Sequence, residues 1–313
     1  MCRKLFIIGN GFDLAHEVES SYSDFKNFLE ENYTDTYDFV QTYCRPEMYE
    51  WQDFEDSLKY FDPEESCYSE DVSMEEDELL AVSNIQSHIE EMNQESQNLV
   101  ERFSEWIGQV ESNIQSDAEN IERSAYFEHL ISNGECYFLT FNYTDTLEII
   151  YNISSDRICH IHGRIERGES PIFGHGEEPM NYSRDMTNGW GTSAQIEMIN
   201  DSLNSSYNRL IKNVRRILME NRFWFSQLGT FDQIYSFGFS YNDIDMYYIQ
   251  DIIEHHTNND TVWYLNQYDE DRHQEYRDRL IIQNFSGNIS VCNSLFKSHY
   301  SFTPSRKLTQ GQN

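Results

Sequence analysis

The sequence lacks closely spaced cysteines, runs of lysine or arginine, and any long apolar segment. Its six cysteines lie far apart, which excludes a zinc ligand set and the disulfide framework of a small scaffold. We therefore expect reduced thiols, as in a cytoplasm. The apolar segments are too short for a signal peptide or a membrane span, so we expect a cytoplasmic protein without a membrane partner.

Basic residues are also scarce. The chain of 313 residues has 22 Lys and Arg against 55 Asp and Glu, which gives a formal net charge of −33. A surface of this charge repels a phosphate backbone, and this argues against generic nucleic-acid binding. The 21 Tyr and 20 Phe, in contrast, supply ample core material, so we expect one elaborated domain or two.

The first half of the chain contains the pattern of a long amphipathic helix. Apolar residues from Val82 to Val110 recur at spacings of three and four, and helical character extends toward Ile131. This apolar stripe belongs either to the core or to an oligomer interface, and we expect a homo-oligomer. The strongly acidic residues 47–78 are predicted to be a solvated surface without a chemical role.

Short segments rich in β-branched and aromatic residues alternate with helical patterns in the rest of the chain. Such alternation predicts an α/β fold, with a Rossmann-like parallel sheet flanked by helices. The α/β domain comprises residues 1–34 and 133–303, residues 35–132 form a large helical insertion after the first strand, and residues 304–313 form a flexible tail. The predicted strands are 4–8, 136–140, 157–161, 233–237, 261–265 and 288–292, and the predicted helices between them include 144–151, 194–225, 243–256 and 270–284.

Polar residues and glycines follow four of the predicted strands directly. In an open parallel sheet, ligands bind outside the carboxyl ends of the strands, so these positions are the candidates for a binding site. They are Gly9, Asn10, Gly11 and Asp13 after the first strand, Asn142 and Asp145 after the second, His162 and Gly163 after the third, and Gly238, Ser240 and Asp243 after the fourth.

Gly9 and Gly11 allow a tight turn whose backbone can approach a phosphate. A dinucleotide fingerprint needs a third glycine where this chain has Leu14, and the Gly-Lys-Ser/Thr ending of a P-loop is absent. The glycine turn is therefore either purely structural or part of a different nucleotide site.

Two side chains at strand ends suit hydrolytic chemistry. Asn142 can orient a water molecule or a ribose hydroxyl, although an Asn in this position also caps helices, and alone the capping role is favoured. His162 precedes a glycine and can transfer protons near neutral pH, whereas His160 has the opposite parity and is predicted on a sheet flank. His175 is a second candidate histidine near the site.

The segments GNGFDLAH, FNYTDTLE, HIHG and FGHG resemble the AbiH-type abortive infection family of bacterial anti-phage proteins, over nearly the whole chain. The same succession is similar to a remote form of the sirtuin-type NAD-binding fold. This second resemblance implies that Gly9 and Gly11 form the phosphate turn, that Asn142 holds ribose and water, and that His162 is the catalytic base.

The sirtuin resemblance also implies that Gly238 and Ser240 close over the adenosine side of the ligand. Two positions depart from that pattern. Asn10 stands where sirtuin-type proteins have alanine, and Thr144 stands where they have aspartate, with Asp145 one place later.

Sirtuin deacylases carry a four-cysteine zinc module that this chain lacks, which argues against deacylation. The resemblance to defence proteins instead implies a glycohydrolase that cuts NAD into nicotinamide and ADP-ribose without a metal, under control of a phage-derived or neighbouring-protein activator. Two alternatives remain open. One is a nucleotide-binding sensor without hydrolysis, and the other is a metal-dependent nuclease in which Asp13, Asp145 and Asp243 converge on the metal.

Overall fold

A computed structural model describes residues 2–45, 51, 54–66, 78–164 and 171–296. Its centre is a six-stranded sheet in the order β3-β2-β1-β4-β5-β6, in which every neighbouring pair is parallel. This is the strand order of doubly wound, dinucleotide-binding sheets, and the predicted α/β fold with a parallel sheet is confirmed. The strands are β1 (Arg3–Ile8), β2 (Glu135–Thr140), β3 (Ile158–His160), β4 (Gln233–Phe237), β5 (Val262–Asn266) and β6 (Asn288–Cys292).

The sheet is buried on both faces, as its apolar strands require. In β1, Phe6 and Ile8 pack into one core cluster, while Leu5 and Ile7 pack into another on the opposite face. All four side chains are completely buried. Burial of side chains of this size contributes roughly 1.5–3 kcal/mol each to folding, so β1 anchors both layers of helices.

Local capping signals start several of the helices. Capping boxes formed by Ser21 with Asp24 and by Thr192 with Gln195 begin the helices that start at Tyr22 and Ser193. The helices are α1 (Gly11–Ala15), α2 (Tyr22–Asn32), α3 (Thr34–Phe39), α4 (Phe54–Ser57), α5 (Pro63–Ser66), α6 (Glu78–Asp117), α7 (Ala125–Ile131), α8 (Thr146–Tyr151), α9 (Ser193–Asn208), α10 (Val214–Gln227), α11 (Met246–His256) and α12 (His273–Ile282), with a π-helical turn at Val40–Cys44 and 3₁₀ turns at Leu58–Tyr60, Ser155–Arg157 and Gln267–Arg272.

The prediction of one continuous helix over residues 194–225 is wrong, because two helices, α9 and α10, occupy this range. Between them the backbone leaves the helix to pair with the segment around His175, which bonds to Leu210 O and Lys212 N. The Asn213 side chain then accepts a hydrogen bond from the Arg216 N–H and starts α10. This break places Lys212 outside either helix.

The apolar stripe of the long helix α6 packs within the chain. Phe103 and Val110 belong to the large core cluster beside the sheet, whereas Ile85 and Ile89 pack against Leu203 of α9. Of the two roles left open by the sequence, the structure gives this stripe the core role. The helix ends at Asp117, and α7 resumes the helical path eight residues later, at Ala125.

The structure also bears on the expectations for membrane spans, cysteines and the tail. None of the helices among the described residues is long and apolar enough to cross a membrane. Cys2, Cys44, Cys136, Cys159 and Cys292 are free thiols. The sixth cysteine and the predicted tail at 304–313 lie outside the described residues.

Candidate functional site

The glycine turn after β1 packs directly against the end of β4. The N–H of Gly9 donates to Phe237 O at 3.0 Å, and the N–H of Gly11 donates to Gly238 O at 3.1 Å. A Cβ atom on Gly9 would lie 2.4 Å from Gly238 O, and one on Gly238, whose φ is +63°, would lie 2.2 Å from Phe12 N. The glycines therefore permit a close backbone crossing, and this crossing uses both N–H groups that the sequence assigned to a phosphate.

Three further predicted residues either have partners elsewhere or are exposed: Asn10, Ser240 and Asp243. The Asn10 amide exchanges hydrogen bonds with Ser20, at 2.8 Å to its carbonyl and 2.7 Å from its hydroxyl. Ser240 is exposed. Asp243 has a side chain that is 95% exposed and pairs with Arg279 at 2.5 Å.

His162 lies two residues beyond β3 in a buried position and faces an aspartate that the sequence analysis did not single out. Its Nδ1 lies 3.2 Å from Phe141 O, and because a carbonyl only accepts, Nδ1 carries the proton in the neutral ring. The free Nε2 is 3.5 Å from Asp245 Oδ1. Neither of these two atoms has a hydrogen-bond partner among the described residues.

Asp245 is a buried carboxylate at the start of α11. Burial alone would raise its pKa, but the charge of Lys212, followed by the interactions with His162 and Asn242, holds that pKa below its ordinary value. The group is therefore an anion at neutral pH. A protonated His162 ring would have a counter-charge beside it.

Asn142 and Asp13 are buried residues that follow β2 and β1, and with His162 and Asp245 they make up the candidate cleft. Asp13 accepts a hydrogen bond from Thr144 Oγ1 at 2.5 Å through Oδ2, while its Oδ1 and both amide atoms of Asn142 lack partners in the described part of the chain. Burial raises the pKa of Asp13, against the lowering effect of Thr144, Thr146 and the nearby Asn142. Asn142 does not cap the following helix, which begins at Thr146.

A second polar network adjoins the His162–Asp245 pair. Lys212, whose side chain is completely buried, donates to Glu55 Oε2 at 2.5 Å. The hydroxyls of Tyr22 and Tyr143 donate to Glu55 Oε1 at 2.6 and 2.9 Å. Glu55 comes from the acidic segment to which the sequence analysis gave no chemical role, and α4 brings it to the carboxyl ends of the strands.

Asp145 is bound to an arginine instead of facing the cleft. Arg164 donates to Asp145 Oδ1 at 2.6 Å and also contacts its Oδ2. His160 lies 3.0 Å from Glu148 Oε1 on α8, in agreement with its predicted place on a sheet flank. Asp145, Glu148 and His160 are close enough to share a cation, but the Arg164 guanidinium already lies among their charges, at 3.4 Å from Glu148.

The three aspartates of the nuclease alternative do not converge on one point. Asp13 is completely buried and bonded to Thr144, Asp145 is paired with Arg164, and Asp243 is on the surface. The nuclease alternative therefore lacks the convergence of these three aspartates that it requires.

His175 and Gly163 stabilise the conformation of the backbone around them. Gly163 has a φ of +85° and turns the chain after β3, with its N–H bonded to His160 O. His175 Nδ1 accepts from Glu177 N at 3.2 Å, and its ring packs on Tyr207 at 5.1 Å. Burial lowers the pKa of His175 to about 4, so the ring is neutral at physiological pH.

Sequence reasoning missed Asp245, Lys212 and Glu55 for different reasons. Asp245 lies two residues after Asp243. If the sequence had placed the start of α11 at Met246, Asp245 would have been favoured as the residue that directly precedes the helix. The continuous helix predicted over residues 194–225 concealed Lys212. Glu55 carried no local signal, because it is one of many carboxylates in its segment.

Comparison with known proteins gives one match. A family model described as "Bacteriophage abortive infection AbiH" matches residues 5–267. No curated protein and no solved structure matches the chain. The matched range contains the ends of β1 to β4 and therefore the whole cleft described above.

Proposed function

The chain belongs to the AbiH family of bacteriophage abortive infection proteins, and on this premise we propose that it acts in phage defence by hydrolysing NAD to nicotinamide and ADP-ribose. The cleft between Asp13, Asn142, His162 and Asp245 would hold the nicotinamide riboside part of the substrate. The proposal is sirtuin-like in its chemistry, with His162 as base, and it adds Asp245 to the residues taken from the sequence.

The observation that carries the proposal is a set of unpartnered polar atoms on buried residues that follow the ends of β1 to β4. Asp13 Oδ1, both amide atoms of Asn142, His162 Nε2 and Asp245 Oδ1 all lack hydrogen-bond partners among the described residues. An unpaired buried polar group costs about 1–3 kcal/mol, so their occurrence together at strand ends is unfavourable unless a polar ligand or water satisfies them. Strand ends of a doubly wound sheet are where such ligands bind.

The charge of the cleft also suits this reaction. Asp13 and Asp245 supply two buried carboxyl groups, and the nearby Lys212 is paired with Glu55. NAD carries a positive charge on its nicotinamide ring, and cleavage of its glycosidic bond passes through an oxocarbenium-like state. A buried carboxylate beside the reacting carbon stabilises both positive charges.

In the proposed step, the bond between the ribose C1′ and the nicotinamide nitrogen breaks, and its electron pair stays with the neutral nicotinamide. The oxygen of a water molecule bonds to C1′ and transfers its proton to His162 Nε2. Asn142, which can both donate and accept, orients the water or the ribose hydroxyls. Asp245 stabilises the protonated His162 ring that results.

Nicotinamide release from NAD tests the proposal directly. Purified protein is incubated with NAD, with and without extract of phage-infected cells as a source of activator, and nicotinamide is quantified by chromatography. We expect His162→Ala and Asn142→Ala to lower the rate by about 100-fold or more. His255→Ala is the matched control, because this histidine lies on the surface of α11, with a side chain that is 61% exposed.

Two results would count against hydrolysis. Absence of nicotinamide under every condition, including infected-cell extract, would reject it, as would an unchanged rate in His162→Ala. If NAD raises the melting temperature of the protein and remains intact, the cleft is a sensor site for the nucleotide. Circular dichroism of each variant separates loss of activity from loss of folding.

A further inference from the structure

Glu55 is held by three donors as a bound anion would be. Its Oε2 accepts from Lys212 Nζ at 2.5 Å, and its Oε1 accepts from the hydroxyls of Tyr22 and Tyr143 at 2.6 and 2.9 Å. The donors come from three distant parts of the chain, namely α2, the end of β2 and the break between α9 and α10. They converge on one carboxylate, and charge-assisted hydrogen bonds of this kind bind phosphate oxygens equally well.

Tyr22, Tyr143 and Lys212 would remain hydrogen-bond donors without Glu55. Burial, followed by the charge of Glu55, raises the pKa of both Tyr22 and Tyr143 well above the ordinary value, so both remain O–H donors at neutral pH. Lys212 is completely buried and therefore requires an anion beside it. Loss of the Glu55 carboxylate would leave a buried cationic pocket.

This donor group adjoins the candidate catalytic residues. The Tyr143 ring centroid lies 5.9 Å from that of His162, and Tyr143 directly follows Asn142 in the chain. The Lys212 charge also acts on Asp245. An anion bound to these donors would therefore lie close enough to His162, the proposed base, for one molecule of NAD to reach both positions.

We infer that Tyr22, Tyr143 and Lys212 form the phosphate subsite of this cleft and that the Glu55 carboxylate occupies it when no nucleotide is bound. The inference rests on the proposed function for the identity of the nucleotide. A bound ligand displaces Glu55 by rotation of its side chain alone, because the neighbouring Phe54 is completely buried and fixes the backbone of α4. Glu55 thus lowers the affinity of the resting protein for its ligand.

Binding of inorganic pyrophosphate to the full chain, measured by isothermal titration calorimetry, tests this inference. We expect Glu55→Ala to bind pyrophosphate at least about tenfold more tightly than the wild type, because the competing carboxylate is gone. Adding Lys212→Ala to that variant should abolish the gain. Glu64→Ala is the matched control, since its side chain is 16% exposed like that of Glu55 but pairs with Arg184 at 3.0 Å.

Unchanged affinity in Glu55→Ala would overturn the inference, and so would a gain that persists without Lys212. Should Glu55→Ala fail to fold, Glu55→Gln keeps the shape and removes the charge, and it must still bind more tightly than the wild type. Pyrophosphate binding does not require cleavage of NAD, so failure of the hydrolase proposal leaves this result informative. Nicotinamide release with no gain in Glu55→Ala or Glu55→Gln would reject the subsite alone.

Discussion

At the residue scale, the pair of His162 and Asp245 has the arrangement of a base with an adjacent counter-ion. The proton on His162 Nδ1 is fixed by Phe141 O, which leaves Nε2 free toward Asp245 at 3.5 Å. Such an orientation selects one tautomer and stabilises the ring once it accepts a proton. Asp245 is therefore a positioning residue for the proposed reaction.

Replacing Asp245 by Asn should slow nicotinamide release by about 100-fold, because the protonated His162 ring loses its counter-charge. Steady-state kinetics of nicotinamide release at neutral pH measure the effect.

Asp243→Asn is the informative comparison for this prediction. The sequence favoured Asp243, yet its side chain is 95% exposed and pairs with Arg279. We expect this variant to keep the wild-type rate. If Asp243→Asn is impaired and Asp245→Asn is not, the role given to Asp245 is incorrect.

The sequence predicted Asn142 and His162 as strand-end residues, and both lie buried in the cleft. Their placement follows from strands whose ends are marked by sharp changes in polarity. Lys212 could not be predicted in the same way, because its partner Glu55 is 157 positions away. A contact at that separation depends on tertiary packing and leaves no local pattern.

At the scale of elements, the long helix α6 shows what periodicity can predict. The spacing of its apolar residues indicated the helix and its buried face, but not which surface covers that face. In the structure, aromatic rings cover this face. The ring centroid of Phe103 lies 5.2 Å from that of Phe25, 4.3 Å from that of Phe173 and 5.1 Å from that of Tyr143. The helix thereby supports Tyr143, a donor to Glu55.

Phe103→Ala should lower the free energy of unfolding by about 3–5 kcal/mol, because it removes a completely buried ring from this aromatic cluster. Urea denaturation followed by circular dichroism measures the loss. Gln97→Ala, on the exposed face of the same helix, should change stability by less than about 0.5 kcal/mol.

The same experiment separates a core from an interface. Packing within the chain makes the effect of Phe103→Ala independent of protein concentration, whereas an oligomer interface would make it concentration-dependent. A midpoint that shifts with dilution would contradict the placement of this stripe in the core. If the effect does not depend on concentration, the expected homo-oligomer needs another surface.

At the scale of the whole molecule, charge and burial act on stability in opposite directions as pH falls. The net charge of −33 destabilises the compact state by self-repulsion, and protonation of carboxylates relieves this. Burial lowers the pKa of four histidines, His16, His88, His175 and His256, each of which would have to accept a proton in a partly or fully buried place. Only a comparison of variants isolates the histidine contribution.

His175 gives the sharpest test of that contribution, because burial lowers its pKa from 6.5 to about 4. Between these values the unfolded chain binds a proton that the folded chain does not, so the stability due to neutral His175 is complete above pH 6.5 and is lost as pH falls toward 4. From pH 7 to pH 5 the loss amounts to about 2 kcal/mol. His175→Gln, which keeps an acceptor for the Glu177 N–H but does not titrate, should therefore lose about 2 kcal/mol less than the wild type over this interval. Urea denaturation at both pH values measures the difference, and equal losses in the two proteins would show that His175 is accessible to protons in the folded state.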